Sequence, residues 1–291
     1  MIVHLRLPPA LAKQVEGLDL AATDEDLLGP LAEQAIDHRQ RLARGQYFTP
    51  TPLVDLVLSF CVRRSRDQVL DPSCGTGAFL VRAFARKREL EGAPTAAELV
   101  GQIHGVDSAE LPARLASHNL AVRGGGAIPR VHARDFFSIE PGDEGGPVPA
   151  LDAVVGNPPW VQQESLAQTK HRLGAQARAA GCELSRRSDL HAYFWPHAAR
   201  FLRPGGRLGL VTSAQWLDAD YGDALRRWLA DRFDVEAIID SVAEPWFPTV
   251  RVDSVVTILR RRVPKNDRRP PARLVRLRRP LTELLANDGG T

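Results

Sequence analysis

Residues 69–80 read VLDPSCGTGAFL: a short apolar run, an acid, a turn carrying Gly75 and Gly77, then a helical pattern. That order is strand, tight turn, helix. Glycines at such a junction let the backbone approach a ligand closely, and the helix start leaves unpaired N–H groups beside it. The spacing is not the dinucleotide fingerprint, because the residue three after Gly77 is Leu80. No Gly-Lys-Ser/Thr follows, so it is not a phosphate loop either. A nicotinamide or nucleoside triphosphate site is disfavoured. By itself the stretch would also serve as a plain tight turn.

Downstream the alternation repeats. Strands are expected over 68–71, 102–107, 130–133, 151–155, 206–211, 236–240 and 253–259, and helices over 77–91, 109–122, 189–202 and 220–230. The helix over 189–202 is interrupted or restarted near Pro196. Such alternation predicts an α/β fold with a mostly parallel sheet covered on both faces. Only a loop containing Glu244–Pro248 separates the last two strands, so the seventh is expected to be antiparallel. Upstream, 24–44 reads as largely helical, with Pro30 in a first turn where its missing N–H costs nothing. PLVDLVLSFCVRR then resumes a helix with Pro52 near its start. The polar stretch 160–188 is too long for an ordinary connection and reads as a mobile lid or a short helical insertion.

The bulk composition bounds the function. A chain of 291 residues with 44% hydrophobic content can bury a sizeable core. No apolar run is long enough to cross a bilayer, and MIVHLRLPPALAKQVEG does not read as a signal peptide. Cys61, Cys74 and Cys182 give neither a disulfide framework nor a metal-site spacing, and the eight histidines show no ligand spacing. A reducing, cytoplasmic setting without membrane or metal is expected. Net charge is only +3, but Arg260–Arg279 carries ten basic residues against one acid, Asp267. That run either contacts phosphates or is a solubilising linker.

In open α/β sheets ligands bind outside the carboxyl ends of the strands, where this sequence places its unusual residues. Asp107 ends the second strand, where a carboxylate accepts from ribose hydroxyls or is simply solvated. Asp135-Phe136 follows the third and suits an adenine ring, with an acceptor for its amino group and an apolar surface for its face. Asp71 lies at the glycine turn, able to pair with a cationic group or to bond the turn itself. After LDAVVG comes Asn157-Pro158-Pro159-Trp160. The Asn157 side-chain carbonyl and the Pro158 backbone carbonyl are two acceptors that can hold both hydrogens of an amino group. They would favour positive charge building on that nitrogen. Trp160 offers a stacking face; the alternative is a rigid proline turn. Cys74, Trp216, Trp228 and Phe233 read as core, and Asp218 and Asp220 as candidate caps for the 220–230 helix.

With these residues together, the chain resembles the N6-adenine DNA methyltransferases of restriction–modification and phage-defence systems, in the arrangement with cofactor motifs first. GQYFTP (45–50), DPSCGTGAFL (71–80), Asp107, Asp135-Phe136, Asn157-Pro158-Pro159-Trp160, DLHAYFW (189–195) and GGRLGLVTSAQWL (205–217) carry the resemblance. It implies a seven-stranded, mostly parallel Rossmann-like methyltransferase sheet with an antiparallel last strand. It also implies S-adenosyl-L-methionine as cofactor, held by Tyr47, Thr49, Pro50, Asp71, Pro72, Cys74, Gly75, Gly77, Phe79, Asp107, Asp135, Phe136 and Asn157. Asn157, Pro158, Pro159 and Trp160 would be catalytic. Phe247, Arg251, Lys170 and Arg172 are candidates for the target-base pocket or for DNA contact. The implied organisation is an N-terminal helical extension (1–44), a catalytic domain (45–262), and a basic Pro/Arg-rich tail or the start of a DNA-recognition region (263–291). Double-stranded DNA and a separate specificity subunit or recognition domain are the implied partners. RNA adenine, protein glutamine, and a catalytically silent scaffold role in a defence complex stay open as alternatives.

Overall fold

The computed structural model describes residues 13–14, 18–35, 47–142, 150–161, 169–248, 253–264 and 269–286. Before the sheet come α1 (Leu28–Ala35) and α2 (Thr51–Cys61). Val69–Asp71 (β1) leads into α3 (Ala78–Glu89) and the short α4 (Ala96–Gly101). Ile103–Asp107 (β2), α5 (Glu110–Arg123) and Arg130–Ala133 (β3) follow. A single 3-10 turn, Phe136–Ser138, replaces any long helix after β3. Leu151–Gly156 is β4. β1 and β2 are buried throughout, and β4 everywhere but Asp152, as near-continuous apolar runs are in a sheet covered on both faces.

Lys170–Ala179 forms α6, so a helical insertion occupies the described part of the 160–188 stretch. Leu190–Ala199 forms α7 with Pro196 inside it. Leu202–Ser213 (β5) starts earlier than expected from sequence. Next come α8 (Gln215–Asp218), α9 (Asp223–Arg232), β6 (Phe233–Ser241) and β7 (Ser254–Arg261). Gly222 occupies the N-cap of α9 without a side-chain bond, so neither Asp218 nor Asp220 caps it.

β1 to β5 run parallel in the order β3-β2-β1-β4-β5. β7 inserts between β5 and β6, antiparallel to both, as expected for the seventh strand. The sheet has eight strands rather than seven. Arg273–Leu277 (β8) pairs in parallel with β6, inside the segment read from sequence as a basic tail. Its alternating RLVRL pattern is hidden among arginines and prolines. Those charges suit an edge strand, and Arg276 bridges to Asp240 of β6 at 2.6 Å. Leu281–Ala286 (α10) follows, its Leu281 N–H donating to Glu244 at 2.8 Å.

In the N-terminal stretch the helix starts later than expected. Among the described residues of 24–44, only 28–35 is helical. Thr23 and Asp26 side chains accept backbone N–H groups two or three residues ahead, holding turns instead of helix. Pro30 does sit in the first turn of α1. Phe201, Trp195 and the other buried residues on one sheet face form one core, and α2 and α3 cover a second. Asp71, Asp107, Asp135 and Asn157 are thereby brought to one edge, beyond the carboxyl ends of β1, β2, β3 and β4.

Candidate active site

A cavity of about 630 Å³ opens at that edge. Its floor is the glycine loop between β1 and α3. Gly75 and Gly77 both adopt positive φ, +53° and +103°, and an added Cβ on Gly77 would lie 3.1 Å from the Ala116 Cα. Asp107 fastens the loop: one carboxylate oxygen accepts from Gly75 N–H at 3.0 Å and the other from Ala109 N–H at 2.8 Å. Asp71 is fully buried and accepts from Ser73 N–H at 2.9 Å. Burial, with a smaller contribution from the Asp107 charge, pushes its carboxyl up to about 8. A buried acid of this kind suits a cationic ligand group. The Cys74 thiol is buried, and burial holds it well above its usual range, so it is core rather than nucleophile.

A second set of residues holds the loop from outside and has no signature in the sequence motifs. Asp26 is buried and accepts from Thr76 Oγ1 at 2.7 Å, from Asn119 Nδ2 at 2.7 Å, and from the N–H groups of Leu28 and Gly29 at 3.1 Å. Arg123 continues the network, donating to Asn119 and to the Thr23 and Glu25 carbonyls. The segment before α1 is thus tied to the loop, and Gly29 itself lines the cavity. Desolvation raises the Asp26 carboxyl above its ordinary range.

At the far side of β3, Asp135 accepts from Phe137 N–H at 3.1 Å, and Phe136 stacks on Phe194 of α7 at 5.7 Å. His197 Nε2 donates to the Phe136 and Ile139 carbonyls at 3.0 and 3.1 Å. The DLHAYFW helix therefore backs this end of the cavity, with Leu190 and Phe194 in its lining. Arg172 of α6 donates to the second Asp135 oxygen at 2.7 Å. It borders the cavity beside Asp135 at the end of β3.

Asn157 follows β4. Its Nδ2 donates to Thr49 Oγ1 at 3.1 Å, and its backbone carbonyl accepts from Ser73 Oγ at 3.3 Å. Its Oδ1 is buried with no partner among the described residues. Gly156 just before it has no room for a side chain, since a Cβ would meet Asp71 Oδ1 at 2.6 Å. Trp160 packs edge-on to Phe247 at 4.8 Å, and Tyr47 lies 5.5 Å from Trp160 and 6.4 Å from Phe247. Phe247 thus packs against Trp160 of the tetrapeptide.

Of the residues expected from sequence, Tyr47, Thr49, Asp71, Pro72, Cys74, Gly75, Phe79, Asp107, Asp135, Phe136, Asn157, Pro159 and Arg172 line the cavity. Pro50, Gly77 and Pro158 are not part of that lining: the Pro50 carbonyl accepts the first N–H groups of α2, Gly77 caps α3, and Pro158 is buried. Lys170 opens α6 outside the lining. Arg251, with Gly45 and Gln46 of the GQYFTP motif, lies outside the described residues. Among the described residues no group of three His, Cys, Asp or Glu could hold a metal, and no helix is long and apolar enough to cross a membrane. His191 is buried, its ring held by desolvation down to about 4, and it does not line the cavity.

An α/β sheet with this strand order and a cavity floored by a glycine loop defines the fold of S-adenosylmethionine-dependent methyltransferases. A class I member from Listeria monocytogenes superposes with a TM-score of 0.66 at 16% identity, over 96% of this chain and 82% of that one. The type IIL restriction–modification enzyme MmeI, solved in complex with DNA, gives 0.61 at 16% identity, over 88% of this chain and 42% of its own. The chain belongs to the N-6 DNA methylase family, whose model matches residues 23–271. The type II methyltransferase M.XhoI of Xanthomonas vasicola is 31% identical over an aligned length of 253 residues that covers 78% of this chain and 44% of that protein. The chain spans less than half the length of the curated relatives it matches first.

Proposed function

We propose that this chain transfers a methyl group from S-adenosyl-L-methionine to the exocyclic N6 of an adenine flipped out of duplex DNA. The observation that carries the proposal is the Asn157 carbonyl oxygen. It is buried and unpartnered among the described residues, while the Nδ2 of the same amide donates to Thr49. A buried acceptor left open costs free energy unless a donor arrives, and an adenine amino group is such a donor.

The bound cofactor supplies an electrophilic methyl on a sulfonium. The chain supplies the rest. Asn157 Oδ1 and the Pro158 carbonyl hold the two amine hydrogens and favour the positive charge that grows on nitrogen as the methyl arrives. The amine attacks first and loses its proton afterwards, so no strong base is required. Trp160, braced by Phe247 and Tyr47, offers the face on which the base stacks, attractive by roughly 1–3 kcal/mol. Extrusion of the base costs a few kcal/mol, and stacking offsets part of it. Asp107 receives the ribose, Asp135-Phe136 the adenine ring, and Asp71 a cationic part of the methionine. A specificity subunit or recognition domain chooses the DNA site.

The test is labelled-methyl transfer from S-adenosylmethionine to mixed-sequence duplex DNA, with digestion to nucleosides and Asn157→Ala as control. Label in N6-methyladenine that vanishes in the variant is the expected result. Label recovered only in RNA or in protein glutamine would replace the substrate, and cofactor binding without any transfer would favour a scaffold role.

A further inference from the structure

Half-exposed ion pairs add little to stability, yet Arg172 and Asp135 are set with care. Arg172 Nη2 donates to Asp135 Oδ2 at 2.7 Å, while Asp135 Oδ1 is already fixed by Phe137 N–H. The helix that carries Arg172 is anchored to the same strand end: Gln176 Nε2 donates to the Phe137 carbonyl at 2.7 Å, and Leu173 is buried against the aromatic cluster there. Both Arg172 and Asp135 border the cavity. They present an acceptor and a donor side by side, one belonging to the sheet and one to the insertion.

The geometry points to Arg172 as a specificity-determining residue that reads the cofactor's base. It rests on the reading of this cavity as the S-adenosylmethionine site. A carboxylate offers only acceptors and a guanidinium only donors. Side by side they complement a base edge on which an amino group neighbours a bare ring nitrogen, which is what adenine carries on either side of its amino carbon. A base with a carbonyl in place of the amino group would set acceptor against acceptor at Asp135. α6 is then part of the cofactor site, and Arg172 is not a DNA phosphate contact.

Binding of S-adenosylhomocysteine and its 1-deaza and 7-deaza analogues, measured by calorimetry on the full chain without DNA, tests this. The wild-type protein is expected to bind one deaza analogue about ten-fold more weakly than the parent, as loss of a charge-assisted hydrogen bond predicts. Arg172→Ala is expected to bind the parent about ten-fold more weakly and to distinguish the three ligands no longer, with Arg172→Lys intermediate. Equal weakening of all three ligands with the discrimination retained would reduce Arg172 to a strut for α6 and overturn the inference. So would unchanged affinity in Arg172→Ala, or a loss confined to DNA binding. Failure of the wild-type chain to bind the parent ligand would instead remove the cofactor reading beneath it.

Discussion

Asn157 Nδ2 donates to Thr49 Oγ1 at 3.1 Å, a bond between the tetrapeptide after β4 and the residue two before α2. In that bond the amide spends its NH2 on the Thr49 hydroxyl and leaves Oδ1 as the open acceptor. Asn157→Ala is expected to lower the single-turnover transfer rate by at least about 10²-fold, the scale found when one preorganised charge-stabilising group is removed. Cofactor affinity should move little. Thr49→Val keeps the shape and removes the acceptor, so a rate loss of about ten-fold with the amine-holding group still present is expected. A Thr49→Val protein with wild-type single-turnover rate would end the orienting role.

Asp107 is expected to act in the opposite sense. Its two oxygens hold Gly75 and Ala109 N–H groups, so its removal loosens the loop floor as well as any ribose contact. Asp107→Ala should weaken S-adenosylmethionine binding by ten-fold or more, about the loss of one charge-assisted bond, before the rate at saturating cofactor changes. Calorimetry showing wild-type affinity would count against Asp107 as a cofactor residue.

Gly77 offers a stability test with an internal control. At φ +103° with Ala116 3.1 Å from any added Cβ, Gly77→Ala combines backbone strain with a clash. Gly92 also has positive φ, +66°, but nothing within 4 Å of the added atom. Gly92→Ala is expected to cost about 1 kcal/mol and Gly77→Ala about 2–3 kcal/mol, read as midpoints of urea unfolding. Equal losses would mean that packing against Ala116 is relaxed at no cost.

The legible parts of this molecule were those where one short stretch carries both a backbone requirement and a chemical group. VLDPSCGTGAFL and LDAVVGNPPW state strand, turn and donor set within a dozen residues, so β1, β4 and the cavity residues Asp71, Pro72, Cys74, Gly75, Phe79, Asn157 and Pro159 follow from them. Asp26 was not legible. Its partners Thr76 and Asn119 lie 50 and 93 residues away, and a lone acid before a helix reads as a cap. Arg172 reads from sequence as a target-pocket or DNA contact, and its bond to Asp135 is not legible, because a basic, polar insertion carries no mark of which wall it folds against. β8 was hidden because its pairing with β6 depends on an edge that only the folded sheet provides. Phe247 carries no local motif, since its contacts with Trp160 and Tyr47 join three distant stretches.

Asp71 links the site to pH. Its folded carboxyl sits near 8, raised chiefly by burial. In the free protein it is therefore mostly protonated below that value. A cationic part of the cofactor favours the ionised form, so binding releases a proton wherever Asp71 starts neutral. Affinity for S-adenosylmethionine should rise with pH, at most about ten-fold per unit, until about pH 8, and level off above it. The free protein carries the opposite slope. Because the folded carboxyl is raised, the folded state holds more protons than the unfolded chain between the ordinary carboxylate range and about 8, and stability falls as pH rises through that window. Asp71→Asn, which imitates the neutral acid, should flatten both profiles and fix cofactor affinity near its low-pH level. Titration calorimetry and thermal melts across this range check the two slopes. A wild-type binding profile without pH dependence would show that no cationic group meets Asp71.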